Sequence, residues 1–159
     1  MENRKDITKR ISDALEKHLN PKFDPRVYTA REVTFDYTSN HSVRVDLMKF
    51  VPQDTTAGGI EQGLVYCYEV KSCRADFKSG NGLNMIGDYN YLVTTPEFAQ
   101  ELLLNGGWMT FGIYTCDEHG NIECVKKAKH ETRKRPISEF LLMMYRSSNR
   151  ELIRKKKEE

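Results

Sequence analysis

Residues 64–71 of this 159-residue chain read Leu-Val-Tyr-Cys-Tyr-Glu-Val-Lys, and they predict the central strand of a sheet. Its first five residues are apolar or aromatic on both faces, which is typical of a central strand that is buried on two sides. The strand ends on a carboxylate and an amine, Glu69 and Lys71. Residues two apart on a strand point to the same face about 7 Å from each other, so we expect these two side chains to project together.

A second acidic residue precedes this strand in a predicted hairpin. Residues 31–37 and 42–50 are rich in β-formers, and turn-forming residues lie between them at 39–41. The second of these strands carries Asp46. We expect it to have one face formed by Val43, Val45 and Leu47, and an opposite face formed by Arg44, Asp46 and Met48. Asp46 would then meet Glu69 from a neighbouring strand.

The other elements follow from periodicity and from turn residues. Four-residue spacing of Ile7, Ile11, Leu15 and Leu19 predicts an amphipathic helix over 6–19. The glycine-rich, polar stretch 51–63 predicts a mobile loop. Later segments are a helical turn at 72–77 that Ser72 would cap, a strand at 89–95, a helix at 96–104, a hairpin of 108–116 with 122–128, and a helix from 138.

This order predicts one α/β domain over 1–159. A strand, a helical crossover and a strand imply a parallel pair, whereas the hairpins are antiparallel, so the central sheet is expected to be mixed. The core, at about 6–130, would have the order αβββαβ. A C-terminal β-hairpin and a helix at about 137–157 would complete it.

Composition limits the class of protein. The chain is 38% hydrophobic and 30% charged and has no run of 18 apolar residues, which predicts a soluble, cytoplasmic protein without a membrane segment. The four cysteines lack a C-x-x-C spacing, so we interpret them as reduced thiols. The four histidines have no metal-site spacing, and the strand aromatics Tyr66, Tyr68, Tyr89, Tyr91 and Trp108 are interpreted mainly as core, with base stacking as the alternative.

The net charge of +2 says little about partners, but basic residues cluster in two runs. Such clusters give a mildly charged protein a face for phosphate, although a solvated surface is the alternative. The nucleic-acid-binding candidates are Lys126, Lys127, Lys129, Arg133, Lys134 and Arg135. The second run is Arg150, Arg154, Lys155, Lys156 and Lys157.

The acidic pair and Lys71 suggest metal-assisted chemistry on phosphate. Asp46 and Glu69 offer hard oxygen ligands for Mg²⁺ or Mn²⁺, and the backbone carbonyl of Val70 could add a third. Lys71 could orient the metal-bound water or offset charge that develops on a phosphate. An acid-x-Lys triplet is weak alone, since about two arise by chance in such a composition. The second, Asp76-Phe77-Lys78, lies in a predicted helical turn, where positions two apart diverge.

The arrangement of Asp46 and Glu69-Val70-Lys71 within this element order resembles the PD-(D/E)xK nuclease superfamily, the restriction-endonuclease-like fold. The longer stretches 44–46, 69–77, 91–97 and 108–114 resemble the MmcB-related endonucleases implicated in DNA repair. This resemblance implies metal ligation by Asp46 and Glu69, a catalytic role for Lys71 and a supporting role for Asp76. It suggests a further acidic position at Glu32, with Asp13 and Glu16 as alternatives.

We therefore expect a metal-dependent nuclease that acts on DNA. The alternatives are a non-catalytic nucleic-acid-binding module on the same fold, and a structural protein in which Glu69 and Lys71 form only an ion pair. A single site cuts one strand at a time, so a homodimer is expected if duplexes are broken. The apolar stripe of the last helix is its candidate interface, and packing on the chain's own core is the alternative.

Overall fold

A computed structural model of the chain describes residues 2–78, 84–106 and 109–159. Across these ranges it has six strands and five helices. In chain order they are α1 (Arg4–Leu19), β1 (Tyr28–Phe35), β2 (Val43–Val51), α2 (Ala57–Glu61), β3 (Leu64–Val70), α3 (Arg74–Lys78), β4 (Tyr89–Thr94), α4 (Pro96–Asn105), β5 (Gly112–Cys116), β6 (Ile122–Lys126) and α5 (Ile137–Glu158).

The strands form one mixed sheet in the order β1-β2-β3-β4-β5-β6. Strand β3 pairs antiparallel with β2 and parallel with β4, and β4 pairs parallel with β5. The two outer pairs, β1-β2 and β5-β6, are antiparallel hairpins. The predicted α/β class, the αβββαβ order and the mixed sheet are thus confirmed, and β3 is a central strand.

Helices cover both faces of the sheet. On one face α1 buries Ile11, Leu15 and Leu19 against Leu47 and Tyr68 of the central strands. On the other face α5 packs Phe140 and Met144 against β1 and β2, while α4 packs Phe98 and Leu102 against Leu92 and Ile113. Since β3 lies between two helical layers, its run of apolar residues is explained. Among the described residues, no helix is long and apolar enough to cross a membrane.

The predicted mobile loop at 51–63 is wrong in part, because it contains the short helix α2. Thr56 caps this helix by accepting the backbone N–H of Gly59 at 3.1 Å. Asp54 in turn accepts the N–H of Thr56 at 2.8 Å. These side chains replace backbone partners at the helix start, which offsets the weak helix propensity of the glycines.

The predicted faces of β2 are also wrong. Val45 and Met48 pack together on the α5 side, whereas Leu47 packs on the α1 side. Val45 and Leu47 are two residues apart but lie on opposite faces of the sheet. The regular alternation of side chains along β2 is therefore shifted by one residue between them, which we call a phase change. The partner strand changes phase at the opposite position, where Glu32 has a φ of 50°. This left-handed backbone conformation shifts the pleat by one residue, a change that the amino-acid pattern does not reveal.

The predicted strand 108–116 falls partly outside the described residues, since Trp108 is not among them, and β5 begins at Gly112. Ser72 is placed next to α3 but with the opposite hydrogen-bonding role to the one expected. Its backbone N–H and its hydroxyl both donate to Asp76, at 3.0 and 3.2 Å.

Candidate active site

Asp46 and Glu69 meet where β2 and β3 separate. The two strands pair from Val51 and Leu64 as far as Leu47 and Tyr68. One step further the ladder stops, and the Asp46 carboxylate Oδ2 accepts the backbone N–H of Val70 at 2.8 Å. The side chain of Asp46 thus replaces a strand partner, and one more step of the register would set it opposite Glu69.

The phase change in β1 is held in place by α5. Ser147, a buried side chain, donates its hydroxyl to the backbone carbonyl of Arg31. Arg150 donates to the carbonyl of Glu32 at 2.9 Å. Both carbonyls lie at the irregular turn of the backbone, so these bonds offset the cost of the positive φ at Glu32. Asp46 owes its position to this irregularity, because it lies directly across from Glu32.

Glu69 is fully buried, with no exposed surface. Its Oε1 accepts a long bond, 3.4 Å, from the backbone N–H of Asn84, and among the described residues no N–H or O–H group donates to its Oε2. Burial raises the pKa of Glu69 to about 10, and the negative charge of Asp46 contributes to this rise. In the absence of a cation, Glu69 is therefore protonated at neutral pH.

Lys71 continues β3 by donating its backbone N–H to the carbonyl of Val93 at 3.0 Å. Its side chain is buried, and its Nζ lies 4.0 Å from Oδ1 of Asp76. Although burial opposes ionisation of Asp76, the hydrogen bond from the Ser72 N–H and the cations Arg4 and Lys71 hold the pKa of Asp76 below its usual value. Asp76 is thus an anion that lies next to the Lys71 ammonium, and the charge of Lys71 also acts on Glu69.

A polar groove of about 1200 Å³ opens over these residues. Asp46, Val70, Lys71 and Asp76 line it, while Glu69 is buried next to it. Helix α1 forms one wall, and β1 and β2 form another. Of the 14 described residues that line it, six are cationic and three are acidic. The cationic ones are Arg4, Lys5, Lys9, Arg31, Arg44 and Lys71.

The sequence-based prediction did not include this cationic wall, because its residues do not form one contiguous basic run. Lys5 and Lys9 are four residues apart on α1, so they lie on one face of the helix. They flank the apolar stripe that begins at Ile7, and this spacing was the available signal. Arg31 and Arg44 come from two strands, and only the fold brings them beside α1.

The candidate third acids have different surroundings. Glu32 is exposed and lines the groove, so the structure places it near Asp46 and Lys71. Asp13 and Glu16 instead bind Arg31, at 2.9 and 3.0 Å. Asp13 and Glu16 are therefore engaged in positioning a groove cation and do not line the groove.

The predicted basic segment lies away from this site. Arg133 donates to the backbone carbonyl of Gly63 at 2.7 Å, at the amino end of β3, whereas Glu69 is near the carboxyl end. A seven-residue strand is about 20 Å long. Lys126 donates to the carbonyls of Met109 and Phe111.

Arg135 pairs with Asp36 and Glu139. Three of the six predicted DNA-binding residues, Lys126, Arg133 and Arg135, therefore have structural partners. Lys127, Lys129 and Lys134 are exposed and remain predictions.

The aromatic residues of the central strands form a ladder on the α1 side of the sheet. Tyr66 stacks on Tyr89 and Tyr68 on Tyr91, with ring centroids 5.2 and 5.6 Å apart. The rings of His130 and Tyr89 meet in a T-shaped arrangement, with their centroids 5.4 Å apart. Because the ring faces are occupied by one another, this arrangement favours the core interpretation of the four tyrosines over base stacking.

The donors at the carboxyl end of β3 fit a divalent cation in part. Two carboxyl groups meet there, and one of them has a buried oxygen to which no group of the described residues donates; hard oxygen ligands of this kind suit Mg²⁺ and Mn²⁺. In the described part of the chain, no group of three or more His, Cys, Asp or Glu side chains is arranged to hold a metal. A complete coordination shell would need backbone oxygen, such as the predicted Val70 carbonyl, or water.

Comparison with known proteins shows a similarity of fold and no relative of known function. No family model matches the chain, and no curated protein matches it. A solved structure described as "SPO1766 protein of unknown function from Silicibacter pomeroyi" is similar, with a TM-score of 0.62 and 20% sequence identity. The match covers 93% of this chain and 88% of that one. It supports the α/β architecture and carries no information on activity.

Proposed function

We propose that this protein is a metal-dependent nuclease that hydrolyses DNA phosphodiester bonds with Mg²⁺ or Mn²⁺ bound between Asp46 and Glu69. The observation that carries the proposal is the buried Oε2 of Glu69, to which no group of the described residues donates, beside the Asp46 carboxylate. Two carboxyl groups so close, one of them desolvated, are costly unless a proton or a cation lies between them. This is a typical reason for strongly perturbed acids to occur at a functional site.

The division of roles follows from the surroundings of each residue. Asp46 and Glu69 would hold the cation, with the Val70 carbonyl as a further ligand. A divalent cation bound there supplies polarisation of a phosphoryl oxygen and a lower pKa for bound water. The Lys71 ammonium, held by Asp76, would stabilise negative charge on the phosphate in the transition state. Glu32 is the candidate for additional acidic support, since it lines the same groove.

The resemblance to the PD-(D/E)xK superfamily and to MmcB-related endonucleases supports the same assignment and suggests DNA repair as the setting. It rests on the acid, acid-x-lysine order and on the αβββαβ core. The second candidate is a DNA-binding module without catalysis. It is favoured by one observation: among the described residues, only two acidic side chains meet at the candidate metal position.

The test is incubation of the wild type and of Asp46→Ala with labelled single-stranded, duplex and branched DNA in Mn²⁺. The expected result is cleavage of at least one substrate by the wild type and none by Asp46→Ala. Glu123→Ala, an exposed acid on β6, is the matched control and should cleave like the wild type. Calorimetry with Mn²⁺ separates the alternatives. Binding without cleavage supports the non-catalytic module, whereas no binding by the wild type rejects the metal site itself.

The predicted homodimer stays a prediction. The part of α5 beyond Ser147 contributes no buried residue, and its side chains Leu152 and Ile153 are 52% and 45% exposed. These two apolar residues are the candidate contact of such a dimer.

A further inference from the structure

Positive charge exceeds negative charge among the described groove residues, and the excess cations lie on the two walls of the groove. Arg4 pairs with Asp76, Lys9 with Asp13, and Arg31 with Asp13 and Glu16. These pairs occupy the carboxylates nearest to them. Lys71 also lies 4.0 Å from Asp76, so four of the six described groove cations have an ion-pair partner within the protein.

Lys5 and Arg44 are different. Both are exposed, both line the groove, and neither side chain has an ion-pair or hydrogen-bond partner among the described residues. Lys5 projects from α1 and Arg44 from β2, so one unpaired cation lies on each wall, with Asp46 and Lys71 in the same groove. Two exposed positive charges that flank an acidic centre form a binding site for an anion that extends past that centre on both sides.

Among the residues that the structure describes, the groove offers no surface that binds bases. Its described lining contains no aromatic side chain, and Val70 is the only apolar one. Proteins that bind single strands combine a basic groove with aromatic rings on which the unstacked bases lie. On β3 the ring nearest to Val70 in sequence is that of Tyr68, and it stacks on Tyr91 within the sheet. A single strand would leave its base faces without partners, whereas a duplex keeps its bases stacked inside.

We propose that this groove binds the sugar–phosphate backbone of duplex DNA without reading its sequence, with Lys5 and Arg44 contacting phosphates on either side of the candidate metal position. The inference rests on the proposed function and adds the substrate class. Phosphate contacts position a protein on DNA and carry no sequence information directly. The affinity should therefore depend on salt and be nearly the same for duplexes of different sequence.

The test is equilibrium binding of the intact chain in EDTA, where no cleavage occurs, to duplexes of two unrelated sequences and to a single-stranded thymidine homopolymer of equal length. The wild type should bind both duplexes equally and more tightly than the homopolymer. Lys5→Ala and Arg44→Ala should each lower the slope of log K against log salt by about 0.9, and the double variant by about twice that. Lys17→Ala is the control, since Lys17 is exposed on the same helix outside the groove; its slope should equal that of the wild type.

Two results would overturn the inference: equal or tighter binding of the homopolymer, or an unchanged slope in the folded double variant. A circular dichroism spectrum like that of the wild type establishes the fold of that variant, and both side chains are exposed. Failure of the proposed function would give another result. The wild type would then not cleave DNA in Mn²⁺, whereas the preference for duplexes and the changes of slope in EDTA would persist.

Discussion

The Asp46 carboxylate accepts the backbone N–H of Val70 at 2.8 Å, at the position where the β2-β3 ladder ends. One side chain therefore does two things: it replaces a strand hydrogen bond, and it places a negative charge against the buried carboxyl of Glu69. The structural and the chemical roles of Asp46 can be separated, because only the second requires a carboxylate.

Asp46→Asn and Asp46→Ala should separate these roles. An asparagine retains a carbonyl oxygen that can accept the Val70 N–H, so we expect stability close to that of the wild type. An alanine leaves this N–H without its partner, which costs about 1–3 kcal/mol. Both variants should lose Mn²⁺ binding, measured by calorimetry, while urea denaturation measures the free energy of unfolding. Equal stability of the two variants would contradict the structural role of Asp46.

Glu69 should make the protein less stable as the pH rises. Its pKa in the folded chain is about 10, raised by burial from the 4.5 of an accessible glutamate. Between these two values the folded state binds one proton more than the unfolded state. The contribution of Glu69 to stability is therefore fully present below pH 4.5 and is lost as the pH rises towards 10. We expect Glu69→Gln, which mimics the protonated form, to lack this dependence.

The measurement is the melting temperature of the wild type and of Glu69→Gln in EDTA between about pH 6 and 9, with the difference between them followed against pH. The melting temperature of Glu69→Gln should rise relative to that of the wild type with each increase in pH. Glu123→Gln, on an exposed position, is the control and should follow the wild type. If the difference between wild type and Glu69→Gln stays constant with pH, then the folded state holds no extra proton at Glu69 in this range, and its raised pKa is refuted.

The sequence predicted the central strand, the order of elements and the approach of Asp46 to Glu69, because each depends on local composition or on hairpin adjacency. It did not predict the phase change at Glu32 and Asp46. That change depends on one residue with positive φ and on hydrogen bonds from Ser147 and Arg150, more than a hundred positions away.

The cationic walls were missed for a related reason. Arg31 and Arg44 of the groove are isolated in the chain and meet only across strands. The prediction of nucleic-acid binding was based instead on the contiguous basic run. Its residue Arg133 extends towards Gly63 and the buried Asp88, at the opposite end of β3. A local run of charge therefore says where cations are in the chain but not which face they share.

Arg133→Ala should act on stability. Its guanidinium donates to the Gly63 carbonyl at 2.7 Å and lies 3.5 Å from the carboxylate of Asp88, which is buried. Loss of the cation leaves Asp88 with fewer donors, and we expect a cost of about 1–3 kcal/mol in the free energy of unfolding. Lys134→Ala, the exposed neighbour, should cost less than about 0.5 kcal/mol. Equal effects of the two in urea denaturation would remove the structural role of Arg133.

The two acid-x-lysine triplets of the chain provide the sharpest test of Lys71. Lys71 lies at the end of a buried strand in the groove, whereas Lys78, of the triplet that begins at Asp76, is exposed at the end of α3. Methionine keeps much of the length of lysine and removes its charge. Asp76 retains Ser72 and Arg4 as donors in Lys71→Met, so the site should stay folded.

We expect Lys71→Met to lower kcat for DNA cleavage about 100-fold or more, as is typical when a group that stabilises transition-state charge is removed. Mn²⁺ affinity, measured by calorimetry, should change by only a few-fold, because both carboxyl groups remain. Lys78→Met should cleave like the wild type. Equal activity of the two variants would show that the lysine at the strand end acts only as an ion-pair partner, and cleavage would then have to depend on Asp46 and Glu69 alone.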